Sequence, residues 1–231
     1  MTFAFSGAIG MWHAITTIFW KDLKIELRTK EAFSASFVFA LMVLVIFNFT
    51  LNLTTEEATA MGAGFLWIAF AFGGVLALNR SFALERDENC LQGLQLAPID
   101  RGGVYLGKCL ANVVFMLITE LILLPLFAVF FNVDITARLG YLVVVLVLGT
   151  IGFSAVGTLF SAIAAHTRMR EVILPILLLP AAVPVLIAAV ECTTYALGGD
   201  ASPALWFRLL VVYDVIFLTV SFLTFGFILQ E

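Results

Sequence analysis

Long apolar runs set the organisation of this chain. Stretches free of Asp, Glu, Lys and Arg cover residues 32 to 55, 58 to 79, 139 to 167 and 172 to 190. Two further runs, 109 to 133 and 209 to 230, are each interrupted by a single acid, Glu120 and Asp214. A helix needs ~20 residues to cross a hydrocarbon core about 30 Å thick. The pattern therefore predicts six transmembrane helices, at about 32–53, 60–79, 105–131, 139–165, 171–192 and 206–229. Ahead of them, residues 12–30 (WHAITTIFWKDLKIELRTK) place Trp20, Leu23 and Leu27 on one helical face and Lys21, Lys24 and Arg28 on another. That division predicts an amphipathic helix lying in the membrane interface.

Composition agrees. Apolar residues make up 62% of the 231 and charged ones 12%, against about 45–50% and about 25% in soluble domains. The expected fold is an all-α membrane protein, a single transmembrane domain with no internal repeat. A formal charge of −4 without runs of like charge argues against nucleic acid as a partner. The first basic residue is Lys21, so no cleavable secretory signal is expected. Cys90, Cys109 and Cys192 show neither metal-site spacing nor a disulfide framework and read as buried or interfacial thiols.

Basic residues orient the helices, because cytosolic flanks carry their excess. With the N-terminus inside, Lys21, Lys24, Arg28, Lys30, Arg80, Arg86, Arg101, Lys108, Arg168 and Arg170 are internal, and only Arg138 and Arg208 lie outside. Both termini are then cytosolic, and the outer connections (NLTTEEATAMG, NVDITAR, ALGGDASPALWFR) are too short for a catalytic domain. Small residues predict close helix contacts: Gly149, Gly152, Gly157 and Ser161 in the fourth span, Ala69 with Gly73 in the second. Pro175, Pro180 and Pro184 each remove a backbone donor from the fifth span and predict a kinked or locally irregular helix, either a fixed bend or a moving element.

Candidate chemistry is sparse. Residues 102–108 (GGVYLGK) satisfy the start of a P-loop, but Cys109 stands where Ser or Thr would bind magnesium, and a membrane helix follows. Helix-mouth glycines and one snorkelling lysine account for the match. Glu120 and Asp214 must face protein or water, since a charge at mid-bilayer costs at least ~2.5–3.5 kcal/mol. They read as hydrogen-bonded structural acids or as part of a proton or substrate path. His13 and His166 have no ligand companions at suitable spacing. No catalytic residue is expected, and the chain does not read as an enzyme.

The one long internal polar segment runs from about 80 to 104. Within it Glu85, Arg86, Asp87 and Glu88 precede Leu91 and Leu94, which with Leu84 form an apolar stripe suited to a partner's groove. Asp100 is placed to cap the following helix.

Three segments then carry a resemblance: WKDLKIELRTKEAF, FALERDENCLQGLQLAPIDRGGVYLGK and VILPILLLPAAVPVLIAAVE. With the interfacial helix and six crossings, they resemble ABC-2 type permeases. The proline-rich fifth span is more narrowly similar to the CcmB family, the haem exporter B subunits of cytochrome c maturation. The similarity begins at about Met11, an alternative start. It implies an ABC complex in the bacterial cytoplasmic membrane, in which an ATPase subunit, CcmA, docks on the 80–104 loop. CcmC and the small CcmD complete the assembly, and ATP is used to release the haem-loaded chaperone CcmE. It also implies that no cofactor is bound by this chain directly. ATP and magnesium belong to the ATPase and haem to a partner subunit, in keeping with the scattered Trp12, Trp20, Trp67 and Trp206 and the lack of an outward-facing histidine. A generic ABC-2 exporter of a lipid, drug or polysaccharide and a proton-coupled carrier using Glu120 and Asp214 remain open from the residues alone.

Overall fold

Apolar side chains in near-continuous runs leave the backbone one way to satisfy its polar groups in lipid, the helix. The computed structural model describes residues 3–51, 54–82, 100–165, 167, 169–200 and 202–228. Among these it has seven helices and no strand: α1 (Phe3–Thr29), α2 (Glu31–Leu51), α3 (Thr55–Ser81), α4 (Arg101–Phe131), α5 (Leu139–Ala165), α6 (Arg170–Ala196) and α7 (Pro203–Ile228). The last six are long and apolar enough to cross a membrane, as the charge-free runs predict.

Boundaries move where capping overrides hydropathy. Thr54 and Glu57 form a reciprocal capping box, so α3 begins inside the stretch read as an outer connection. Pro203 opens α7, where its missing N–H costs nothing. The helix ahead of the spans is longer than expected, starting at Phe3. It ends at Lys30, whose positive φ of 54° breaks the helical path. Across that joint the Phe33 amide donates to Glu26 Oε1 at 2.7 Å, which caps α2 from the preceding helix.

The helix α5 lies at the centre, packed against α3, α4, α6 and α7, while α2 covers α3 and α4. Its small residues do what their spacing predicts. Gly149 faces the Trp67 ring, Gly157 faces Leu78, and the Ser161 hydroxyl donates to the Leu78 carbonyl at 2.6 Å. On the other side of α3, the Ser36 hydroxyl donates to the Gly73 carbonyl at 2.8 Å. Outward-facing Val38, Met42, Ile46 and Phe49 of α2, and Val211, Val215 and Leu223 of α7, are exposed, as a lipid-facing surface requires.

The helix α6 runs from Arg170 to Ala196 with Pro175, Pro180 and Pro184 inside it. The Tyr213 hydroxyl donates to the Ala181 carbonyl at 2.9 Å, a side-chain bond in the turn preceding Pro184. A further proline, Pro125, lies within α4. In the connection after α4, Asp134 accepts the Thr136 hydroxyl and amide, and these bonds hold its carboxyl below the usual range.

Candidate coupling site at the bases of α3 and α4

Glu85, Arg86, Asp87, Glu88, Leu91 and Leu94, with Cys90, fall outside the described residues. What is described is how the two ends of their segment are held. Phe82 closes α3 with its amide bonded to the Arg80 carbonyl. Asp100 precedes α4 in extended conformation, and its carboxylate accepts the Gly103 amide at 3.2 Å, the cap its position predicts. The next residue, Arg101, donates from Nη1 to the Gly226 carbonyl at 3.1 Å and so ties the start of α4 to the end of α7.

Two turns further on stands Lys108, and here the sequence reading is corrected. The lysine does not snorkel: it is 0% exposed. Its Nζ donates to Asp22 Oδ2 at 3.1 Å and to the Ser81 carbonyl at 3.0 Å, and it lies 4.4 Å from the centre of the Phe82 ring. One ammonium group thus joins α1, the last turn of α3 and α4. Asp22 also pairs with Lys21 at 3.1 Å. A buried pair of this kind adds little net stability against an apolar substitute, but removing one partner leaves a stranded charge.

The glycines of the near-P-loop have a packing role. A Cβ on Gly103 would come within 2.9 Å of Ala14 Cβ and 3.1 Å of the Met11 carbonyl oxygen. On Gly107 it would come within 2.9 Å of both the Ile15 carbonyl oxygen and Ile18 Cβ. Gly103 and Gly107 are four residues apart, so they lie on one helical face and let α1 seat directly on α4. That spacing was visible in the sequence but masked by the P-loop-like match. Correspondingly, α1 turns Ala14, Ile15 and Ile18 inward and leaves Trp20 and Leu27 exposed. The amphipathic reading found only the outward stripe.

Beneath, Tyr105 donates to the Ala155 carbonyl at 3.0 Å, and Phe225 packs against both Tyr105 and Phe82. Cys109 and Cys192 are buried free thiols. Trp67 is buried, whereas Trp12 and Trp20 are exposed. His13 is exposed, with Nδ1 3.4 Å from the Thr17 hydroxyl. Among the described residues no three His, Cys, Asp or Glu side chains cluster to hold a metal.

The two membrane acids meet different surroundings. Glu120, 1% exposed, accepts the Thr150 hydroxyl at 2.8 Å on both carboxylate oxygens. Asp214, 5% exposed, faces Gly152, and neither of its oxygens has a hydrogen-bond partner among the described residues. Thr150→Val is expected to lower stability by about 1–3 kcal/mol, the cost of stranding a buried acceptor. Glu120→Gln should cost less, because an amide oxygen still accepts from Thr150. Thermal unfolding of the purified protein in detergent checks the order.

Comparison with known proteins adds the family. The family model described as CcmB protein matches residues 13–230. Among curated relatives, heme exporter protein B of Rhodobacter capsulatus is 32% identical over 181 residues, covering 78% of this chain and 83% of its own length. Its counterpart in Paracoccus denitrificans is 30% identical over 191 residues, covering 81% and 86%. That of Bradyrhizobium diazoefficiens is 22% identical over 208 residues, covering 90% and 93%. A match over nearly the whole chain, on a helical membrane fold with a gripped polar segment between α3 and α4, places this protein in the CcmB family.

Proposed function

We propose that the chain is the permease subunit of a bacterial cytoplasmic-membrane ABC transporter complex for cytochrome c maturation, with both termini cytosolic. The CcmA ATPase docks on segment 83–99, CcmC and CcmD complete the membrane assembly, and CcmE is the indirect recipient of the work. This reading is supported by relatives named heme exporter protein B. The observation that carries it is the Lys108 node. A segment meant to pass on force needs fixed ends, and one buried cation grips the last turn of α3 and the first turns of α4 together with α1. ATP-driven closure of the ATPase pair then moves these three helices as one body. ATP and magnesium are handled in the ATPase and haem in a partner subunit, and this chain supplies no reacting group.

Replacing Leu91 and Leu94 with Asp puts two charges on the docking stripe. Recovery of CcmA with the tagged membrane subunit is expected to fall at least tenfold while membrane insertion is unchanged. Full recovery of the complex would sink the docking assignment.

A further inference from the structure

Helix α1 sorts its charges by face. Its two acids, Asp22 and Glu26, turn toward α2, α3 and α4 and are engaged there, Asp22 by Lys108 and Lys21 and Glu26 by the Phe33 amide. The next acid in the chain, Glu31 at the start of α2, pairs with Arg80. Cations without partners face the other way. Lys24, Arg28 and, at the joint that follows, Lys30 are exposed, and their side chains have no ion pair or hydrogen bond among the described residues. Alongside them Trp20 and Leu27 are 56% and 60% exposed. At about 3.6 residues per turn, Trp20 and Leu27 line up along one side of this outer face, and Lys24 and Arg28 line up beside them. A chain of net charge −4 thus presents an apolar margin and a basic margin together, with no carboxylate between them.

Position in the fold decides what meets this face. On one side α1 seats on Gly103, Gly107 and Lys108 at the start of α4, and its own end leads through Lys30 into α2 at Glu31. The starts of α2 and α4 lie at the same end of the bundle, since the last turn of α3 reaches both, through Arg80 to Glu31 and through the Ser81 carbonyl to Lys108. Held where two spans enter the membrane, the outer face of α1 lies at headgroup level. There an exposed tryptophan and leucine can enter the acyl boundary while the cations stay among phosphates. A basic margin without acids favours net anionic headgroups over zwitterionic ones, because the ammonium of a zwitterion meets no carboxylate on it. We propose that the outer face of α1 binds anionic phospholipid, with headgroups at Lys24, Arg28 and Lys30 and the upper acyl chain against Trp20 and Leu27. The inference rests on the membrane placement of the helices and not on ATPase docking, so either can fail alone.

The test uses the full-length protein in phosphatidylcholine nanodiscs that contain, as a minor component, phosphatidylglycerol or phosphatidylcholine carrying the same photoreactive diazirine near the headgroup end of one chain. At matched probe content, light should label Trp20 and Leu27 at least fivefold more from the phosphatidylglycerol probe, whereas Leu223, exposed on α7, takes equal label from both. Equal labelling of α1 by the two probes overturns the surface. Raising the salt to about 0.5 M, where the Debye length falls to about 4 Å, should at least halve the preference; a preference indifferent to salt overturns the role given to the cations. Lys24→Gln combined with Arg28→Gln, which alters two exposed side chains without partners, should bring the preference below twofold, and an undiminished preference overturns the proposal. If that variant does not fold, the salt series decides. No lipid preference in the wild type, with a co-purifying membrane subunit lost from the double variant, overturns it in favour of a protein interface.

Discussion

Asp22→Leu is expected to destabilise the protein by about 3 kcal/mol, at the lower end of the range for breaking a buried ion pair from one side. Lys108→Met should cost less. The asymmetry comes from burial: Lys108 is fully enclosed, whereas the Asp22 side chain retains 16% exposure and keeps Lys21 as a second partner. Removing the acid takes the Asp22 carboxylate from a cation with no access to water, which keeps the Ser81 carbonyl and the Phe82 ring; removing the cation leaves a carboxylate that is still paired with Lys21. The double variant Asp22→Leu, Lys108→Met should recover part of the loss, with a coupling of about 0.5–3 kcal/mol. Thermal midpoints of the four proteins in one detergent measure the cycle. An additive result would show that the two residues do not act as a pair. Under the proposed function the double variant should still bind CcmA but show weaker ATPase stimulation, because the grip on segment 83–99 is gone while the docking stripe is intact.

Trp67→Ala should be more damaging still, by about 3–5 kcal/mol, the usual range for an aromatic lost from a core. Trp67 is 3% exposed, its indole N–H donates to Thr193 at 2.9 Å, and its ring lies where a Cβ on Gly149 would come within 2.2 Å. The side chain therefore ties α3 to α5 and α6. Trp67→Phe separates the contributions, since it keeps an aromatic ring but strands the buried Thr193 hydroxyl, at about 1–3 kcal/mol. Gly149→Leu attacks the contact from the other side and should cost about 1–3 kcal/mol by overpacking. Combined with Trp67→Ala it should be better tolerated than either change alone, because the new side chain enters the vacated space. Unfolding midpoints in detergent check all four, and a double variant less stable than either single variant would contradict the geometry.

Six spans, their approximate limits and the helical class were legible because lipid leaves a helix backbone no alternative and because charge-free length is a one-dimensional quantity. The small-residue face of α5 and the Asp100 cap were legible for similar reasons, since both depend on spacing within a few residues. Pro175, Pro180 and Pro184 were visible too, but whether they interrupt α6 depends on what surrounds it, and α6 remains continuous.

The polar segment at 80–104 could be recognised as the feature to be explained, though not how it is anchored. Lys108 at a helix mouth reads as a snorkelling lysine when α4 is considered alone. Only the packing of α1 on Gly103 and Gly107 brings Asp22 to it across 86 residues of chain and seals the lysine from solvent. Likewise, Glu120 and Asp214 are equal in sequence, each one acid in an apolar run. Tertiary contacts separate them, giving Thr150 to the first and only the Gly152 face, with no hydrogen bond among the described residues, to the second. Hydropathy and capping act along the chain, so sequence by itself determined the number and class of helices. Pairing of buried charge depends on which helices meet, and that was decided only by the tertiary structure.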